Sequence, residues 1–241
     1  MYEICTYRKR VEDKGLVSFS VKMQESDLFI RAEESLNSQA RECLLSLRRL
    51  IQDYIQEYPQ FAASLEPYPV EAQAADIVRE MAAASTLAGV GPMAAVAGAI
   101  AEYVGRELLR HSAQVIVENG GDIFMKTNET RKIGIFAGES CYSARLALEI
   151  APGRSWGVCT SSHTVGHSLS LGQADAAVVI SHSAILADAW ATRLGNMVKS
   201  AADVETTLNF IKAQPGIKGA VIIIGEKIGA WGEVKLVKVK P

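Results

Sequence analysis

Ala187-Asp188-Ala189-Trp190-Ala191-Thr192 follows closely on the apolar run Ala176-Ala177-Val178-Val179-Ile180, and these two segments decide the fold. The apolar run predicts a buried strand. The residues after it predict a helix from about Ser183 to Val198, with Ser183 as the N-cap. These two segments therefore predict a buried strand that leads directly into a helix.

The predicted helix carries a carboxylate and a hydroxyl on one face. Asp188 and Thr192 are four residues apart, so their side chains lie one turn from each other. Both can ligate a hard cation such as Mg²⁺, which prefers oxygen ligands. In the alternative interpretation Thr192 bonds back to the carbonyl of residue 188 and Asp188 forms a surface ion pair. The apolar neighbours Ile185 and Leu186 make an unpaired carboxylate costly, but this segment alone leaves both interpretations open.

A second distinctive segment, Val117-Glu118-Asn119-Gly120-Gly121-Asp122, lies upstream. A strand runs there into two glycines, which tolerate positive φ and leave the backbone N–H groups free to face an anion or a ring. A plain turn or bulge between two strands explains the same residues. The double glycine is thus a candidate ligand-binding turn, with a structural alternative.

A third segment, from Cys159 to Ser168, packs hydroxyls, two histidines and a glycine into ten positions after a strand. Polar groups that converge on a loop are a common ligand-binding arrangement. The chain has no Gly-x-Ser-x-Gly elbow to present a nucleophilic serine. His163 and His167 lack a clear third ligand, which makes a zinc site a weak interpretation. The alternative is a loop that bonds its own backbone.

The rest of the chain alternates in clusters of strands and helices. Two strands are predicted at 16–21 and 27–31, followed by an amphipathic helix from Leu36 to Ile55. Further helices are expected at about 70–84, at 92–110, and from an N-cap at Asp203 to 213. The other predicted strands lie at 114–117, 123–125, 133–136, 146–150, 156–160, 220–224 and 234–239. Clustering favours an α+β fold with antiparallel sheets, in one domain over residues 1–241, without a clear internal repeat.

Bulk composition limits the classes of function. Of the 241 residues, 49% are hydrophobic and 22% charged, with a net charge of −2, which is ordinary for a globular protein. No nucleic-acid or membrane partner is expected from this charge. Met81 to Ala101 is uncharged, but the Gly89-Val90-Gly91-Pro92 break predicts two buried helix pieces instead of one membrane span. No secretory signal is visible, and the four cysteines are expected to be reduced and mostly buried, which favours the cytoplasm.

The order of these segments resembles the ApbE family, flavin transferases that move FMN from FAD to a Thr or Ser of a target protein. Family members have, in order, Gly-x-x-Ala-Lys-Gly, Gly-Gly-(Asp/Asn)-Ile, Thr-Ser-Gly and Ala-Asp-Ala-x-(Ala/Ser)-Thr. The matching segments here are Gly98 to Tyr103, Gly120 to Ile123, Thr160 to Ser162, and Ala187 to Thr192. The resemblance covers roughly residues 90–200, and the last motif is its most specific part.

This resemblance implies an ApbE-like α+β fold of the duplicated T-fold type, and a Mg²⁺ site. Asp188 and Thr192 match the family's metal ligands, and Ala101 falls where the family offers a backbone carbonyl to the metal. The residues expected to line the flavin pocket are Gly120, Gly121, Asp122, Thr160, Ser161 and Ser162. The implied cofactors are Mg²⁺ and FAD or FMN. The implied partners are a flavin or other phosphorylated ligand and an acceptor protein.

The chain departs from the family pattern at two places. Glu102 stands where the family has Lys, and the family's His-x-x-Asp-Pro segment is missing, so His163 or His167 would substitute for it as the catalytic residue. Three functions stay open: a Mg²⁺-dependent FMN transferase or related nucleotide-cleaving enzyme, a non-catalytic flavin or small-anion binding protein, and a structural protein that has kept only the fold. Edge strands and small-residue helices are compatible with a homodimer.

Overall fold

The fold is built on a long antiparallel sheet. The computed structural model describes residues 15–163 and 171–239. Eight strands form the main sheet in the spatial order β1-β2-β3-β4-β7-β8-β9-β10, and every neighbouring pair is antiparallel. These strands are β1 Val17–Met23, β2 Ser26–Ala32, β3 Val115–Asn119, β4 Asp122–Lys126, β7 Ser155–Ser161, β8 Ala176–Ser181, β9 Ile217–Ile224 and β10 Lys227–Gly232.

A smaller sheet and a layer of helices complete the molecule. The smaller sheet has the order β11-β6-β5 and is also antiparallel. Its strands are β5 Arg131–Gly134, β6 Leu146–Ile150 and β11 Leu236–Lys238. The described residues form six α-helices: α1 Asn37–Glu57, α2 Pro59–Ala63, α3 Asp76–Ala88, α4 Val96–Leu108, α5 Ala184–Met197 and α6 Asp203–Lys212. A 3₁₀ turn, Pro92–Ala95, leads into α4. The predicted α+β class is confirmed.

The central strands of the main sheet are covered on both faces. Val115, Val117 and Phe124 belong to a core shared with the helices, whereas Ile116 and Met125 belong to a second core shared with the small sheet. This alternation follows from the two-residue period of a strand. A strand with two covered faces has no polar side, which explains why Ala176–Ile180 is apolar throughout.

The main sheet consists of two halves with the same order of elements. In the first half, β1 and β2 are followed by α1–α4 and then by β3 and β4. In the second half, β7 and β8 are followed by α5 and α6 and then by β9 and β10. The halves meet where β4 pairs with β7. A duplicated architecture is therefore visible in the topology, although no repeat is visible in the sequence.

Some local predictions were wrong. The helix expected from residue 70 begins at Asp76, because residues 70–75 form an extended segment and a turn after Pro69. Asp203 was predicted as the N-cap of α6 but is its first helical residue. Its carboxylate accepts hydrogen bonds from the backbone N–H groups of Lys199 and Ser200, which precede the helix. The short helix α2 and the edge strand β10 were not predicted at all.

The apolar segment near residue 90 folds as two helix pieces. No single helix in the described ranges is long and apolar enough to cross a membrane. Asp76–Ala88 and Pro92–Leu108 pass that test by length and composition only as a joined pair, and the pair is bent by 104° at its break. The cysteines of the described ranges differ in part from expectation: Cys159 is buried, Cys43 is half-buried and Cys141 is exposed, and Cys5 lies outside the described residues.

Candidate functional site

The double glycine forms the tight turn of the β3–β4 hairpin. Gly120 and Gly121 have φ of 65° and 109°, and Asn119 pairs directly with Asp122 across the turn. Positive φ at both turn positions explains the two glycines. The turn thereby holds the side chains of Asn119 and Asp122 side by side, with only 7% and 8% of each residue exposed.

Asp188 reaches from α5 to the beginning of α4. Its Oδ2 accepts a 2.8 Å hydrogen bond from the backbone N–H of Gly98, and Asp188 is 9% exposed. The first N–H groups of a helix have no partner within the helix, so this carboxylate satisfies one of them. Asn119 meets the same helix end, where its Nδ2 donates to the carbonyl of Ala97 at 3.2 Å. Asp188 is thus neither exposed nor in a surface ion pair.

The end of β7 adds a thiol and a backbone donor. The backbone N–H of Thr160 donates to Oδ1 of Asp122 at 3.2 Å. Sγ of Cys159 donates to the carbonyl of Ala184, the first residue of α5, at 3.3 Å. Four segments that are far apart in sequence therefore meet here: the β3–β4 hairpin, the end of β7, the first turn of α4 and α5.

Two buried carboxyl groups share this junction. Burial raises the pKa of Asp122 to about 7, although the hydrogen bonds from Thr160 and Cys159 lower it. Burial, and then the charge of Asp122, hold the pKa of Asp188 well above its usual range, against the opposite effect of the N–H groups of Gly98 and Ala97. Burial and the same two carboxylates also raise the pKa of the Cys159 thiol. Among the described residues, no cationic side chain offsets these effects at either carboxyl group.

Glu102, which stands in place of the family's Lys, binds the first turn of α5. It is 3% exposed, and its Oε2 accepts from Ser183 Oγ at 2.9 Å and from the backbone N–H of Ile185 at 3.1 Å. Its Oε1 meets Nη2 of Arg106 at 2.5 Å. Ser183 also accepts from Leu186 N–H, which confirms it as the N-cap of α5.

The other predicted site residues lie around this junction or outside the described residues. Thr192 is half-buried one turn beyond Asp188. Ala101 is fully buried within α4, where a regular helix engages its carbonyl with the N–H four residues later. Ser161 and Ser162 are buried at the end of β7, and His163 is exposed after it. His167 lies outside the described residues.

Three residues of the junction were not predicted as functional. Asn119 lay within the double-glycine segment, but its bond to Ala97 spans 22 residues and leaves no local signal. Cys159 opens the third segment, but the sequence predicts it only as a buried thiol. Gly98 belonged to the motif, and its lack of a side chain was the available signal: a Cβ there would lie 2.3 Å from the carbonyl oxygen of Ala184.

The donor atoms at the junction suit a hard cation better than a soft one. In the part of the chain that the structure describes, no group of three or more His, Cys, Asp or Glu residues could hold a metal ion. A metal here would need carboxylates supplemented by hydroxyl, carbonyl or water oxygens. That is the mixed oxygen set that Mg²⁺ accepts, since it commonly uses one or two carboxylates and keeps several waters.

The two-half sheet, the double-glycine hairpin and the Asp188 helix define an ApbE-like protein. A family model described as "AbpE bacteria" matches residues 8–229, and the chain belongs to that family. The resemblance inferred from the four motifs is therefore confirmed.

Relatives and solved structures agree with this assignment. The "UPF0280 protein" of Methanocella arvoryzae is 42% identical over 215 residues, which cover 88% of this chain and 87% of the relative. That of Methanosphaerula palustris is 43% identical over 197 residues and 81% of each chain. The flavin transferase ApbE from Vibrio cholerae superposes with a TM-score of 0.58 at 14% identity, covering 92% of this chain and 97% of that one. The apo flavinyl transferase ApbE of Pseudomonas stutzeri gives 0.57 at 16%, covering 90% and 94%. At these identities the structures show a shared fold.

Proposed function

We propose that the junction binds FAD or a similar phosphorylated ligand together with Mg²⁺, and that the chain is an FMN transferase-like or related nucleotide-cleaving enzyme. The observation that carries the proposal is the pair of buried carboxyl groups of Asp122 and Asp188, which belong to motifs of a flavin-transferase fold. A buried acidic pair is stabilised when a cation joins it, because ionisation without a counter-charge is costly in a buried site.

The metal would be held by Asp188, with Thr192 and the carbonyl of Ala101 as further ligands and Asp122 close by. The residues fit this role, because Asp188 uses one oxygen for Gly98 and each carboxylate oxygen has further acceptor capacity. Mg²⁺, when bound, would neutralise the pyrophosphate and the charge on the leaving AMP.

The remaining predicted residues would hold the organic part of the ligand. The Gly120-Gly121 turn exposes backbone without side chains, which allows a flat ring or a phosphate to approach closely. Thr160, Ser161 and Ser162 would supply hydrogen bonds along one side. His163 or His167 would take the proton from the hydroxyl of an acceptor protein.

Binding and cleavage are tested separately. With FAD and Mg²⁺ we expect a rise in melting temperature that needs both components, because a ligand that binds only the native state stabilises it. Chromatography of the same mixture, with an added acceptor protein and without, measures AMP release. An unchanged melt with FAD, FMN and ATP across a wide concentration range would contradict the proposal.

A second function, non-catalytic binding of flavin or a small anion, is favoured by Glu102. The family's Lys position is occupied by a buried carboxylate that binds α5, so the residue acts within the scaffold. Binding of FAD with Mg²⁺ but without AMP release under any acceptor condition would favour this function over the enzyme.

A further inference from the structure

The first turn of α5 is held tightly by its neighbours. Ala184 lies against two glycines: a Cβ on Gly98 would be 2.3 Å from its carbonyl oxygen, and a Cβ on Gly157 would be 2.4 Å from its Cα. The Cys159 thiol donates to the same carbonyl. The start of α5 is therefore fixed against both α4 and β7 by close backbone contact.

Glu102 is the charged group at this contact. Its carboxylate accepts hydrogen bonds from Ser183 Oγ–H and from Ile185 N–H, so it lies at the N-terminus of α5. A negative charge is favourable there, because the unpaired N–H groups give that end of a helix a partial positive charge. A Lys at position 102 would instead place an ammonium group, which can only donate hydrogen bonds, against N–H groups that are also donors.

The two helices cap each other. Glu102 of α4 accepts from Ile185 in the first turn of α5, and Asp188 of α5 accepts from Gly98 in the first turn of α4. Glu102 lies one turn after Gly98, and Asp188 lies one turn after Ala184. Since both contacts join the same pair of helices, movement of one changes the other.

We propose that Glu102 is a positioning residue: by binding the first turn of α5 it fixes the Asp188 carboxylate at the N-terminus of α4, and so fixes the position of the metal and ligand. The positioning of Asp188 is argued from the contacts between α4 and α5. The positioning of metal and ligand rests on the proposed function.

The outer neighbours of Glu102 supply a matched control. Arg106 meets Glu102 at 2.5 Å and Glu80 at 3.3 Å, with 47% of its side chain exposed. Glu102 itself is buried, so removing Arg106 should lower the stability of the protein. Arg106→Ala removes this charge partner and leaves both hydrogen bonds between Glu102 and α5. The position of the Asp188 carboxylate should therefore change little.

The first measurement is hydrogen exchange at the start of α4 in the metal-free protein. The backbone N–H groups of Gly98 and Ala97 both interact with the Asp188 carboxylate, so their protection from exchange reports its position. We expect Glu102→Ala to speed their exchange on the order of tenfold, as the loss of one hydrogen bond implies. Glu102→Gln keeps one acceptor oxygen and should lie between Glu102→Ala and the wild type. Ser183→Ala, which removes one of the two bonds, serves if Glu102→Ala does not fold.

The second measurement is Mn²⁺ affinity, with Mn²⁺ as the probe for the metal site. Loss of a group that orients a ligand typically weakens metal binding on the order of 10–100-fold, and we expect Glu102→Ala to fall in that range. Ile223→Ala is the stability control. Ile223 is fully buried in the core on the opposite face of the sheet, so its loss should lower the melting temperature and leave both readouts unchanged.

The outcomes separate the two proposals. If Glu102→Ala leaves exchange at Ala97 and Gly98 unchanged, or if Ile223→Ala changes it equally, Glu102 has only a general structural role and the inference is wrong. If the exchange contrast appears but the wild type binds no Mn²⁺, the positioning of Asp188 is supported and the proposed metal function fails. If Mn²⁺ binds equally to the wild type and to Glu102→Ala, the positioning of the metal is overturned.

Discussion

Glu102 and Asp188 cap each other's helices: each carboxylate accepts a backbone N–H in the first turn of the helix that carries the other. The arrangement accounts for the departure from the family pattern at residue 102, because an acceptor suits that position and a lysine does not. It also gives Asp188 a structural partner in the absence of a ligand. Asp188 thus takes part both in the contact between α4 and α5 and in the candidate metal site.

Replacing Asp188 should separate its two roles. Asp188→Asn keeps an oxygen that can accept from Gly98 and removes a buried group that is costly to ionise, so the metal-free protein at pH 8 should melt at the same temperature or higher. Asp188→Ala loses the cap and should cost about 1–2 kcal/mol. Both variants should lose the stabilisation by FAD with Mg²⁺. Calorimetry in chelator and in Mg²⁺ measures both effects, and equal destabilisation by Asn and Ala would contradict this account.

The stability of the metal-free protein should fall as pH rises towards neutrality. The pKa of Asp122 rises from 3.8 to about 7 on folding, and that of Asp188 rises as well. Between these values the native state binds more protons than the unfolded state, so the free energy of unfolding decreases with pH. Each group contributes at most about 1.4 kcal/mol per pH unit. The stabilisation is complete below the unfolded pKa and is lost as pH passes the folded one.

Urea unfolding in chelator from pH 5 to pH 7.5 measures this slope. Asp122→Asn should reduce it, because that side chain no longer titrates. Cation affinity should change in the opposite direction and strengthen with pH, since the carboxylates must be ionised to bind a metal. Parallel pH profiles of the wild type and Asp122→Asn would show that Asp122 does not titrate in this window.

Local signals predicted much of the fold. The strand at residues 176–180, the helix after it and the Ser183 cap all depend on neighbours within a few positions, and the structure contains them. The edge strand β10, with the sequence Lys-Ile-Gly-Ala-Trp-Gly, has two glycines and only half-buried or exposed residues, so its pattern was weak. Asp203 was assigned wrongly because an acidic residue is favourable both at the N-cap and in the first turn.

The candidate site was predicted only in part, for a related reason. The motifs identified Asp122 and Asp188, but the contacts that define their environment join residues far apart in sequence. Gly98 and Asp188 are 90 positions apart, and Glu102 and Ile185 are 83 apart. No periodicity in one sequence shows such pairs. The sequence therefore shows Glu102 only as a departure from the family's Lys, whereas the helix end that it binds is defined by the structure.

Thiol reactivity should follow the differences in burial. Cys141 is exposed, whereas burial, and then the charge of Glu107, raise the pKa of Cys43 to about 11. Since the thiolate is the reactive form, we expect iodoacetamide at pH 8 to label, among these three cysteines of the described residues, Cys141 first, Cys43 slowly and Cys159 only after unfolding. Peptide mass mapping assigns each label. Rapid labelling of Cys159 in the native protein would mean that the start of α5 separates from β7 readily.

The close contact between α4 and α5 should be sensitive to a single methyl group at Gly98. Alanine is the better helix former by about 1 kcal/mol, but its Cβ would lie 2.3 Å from the Ala184 carbonyl oxygen and 2.8 Å from Cβ of Asp188. Backbone cannot yield as a flexible side chain can, so we expect Gly98→Ala to destabilise the protein by about 1–3 kcal/mol and to weaken Mn²⁺ binding. Gly225→Ala, in the β9–β10 turn away from the junction, is the matched control. Nothing lies within 4 Å of its Cβ, and its φ of 55° should cost about 1–2 kcal/mol without changing the α4–α5 contact. Urea unfolding and Mn²⁺ titration of both variants test this contrast. Equal loss of Mn²⁺ affinity in the two variants would show that the contact at Ala184 does not set the geometry of the site.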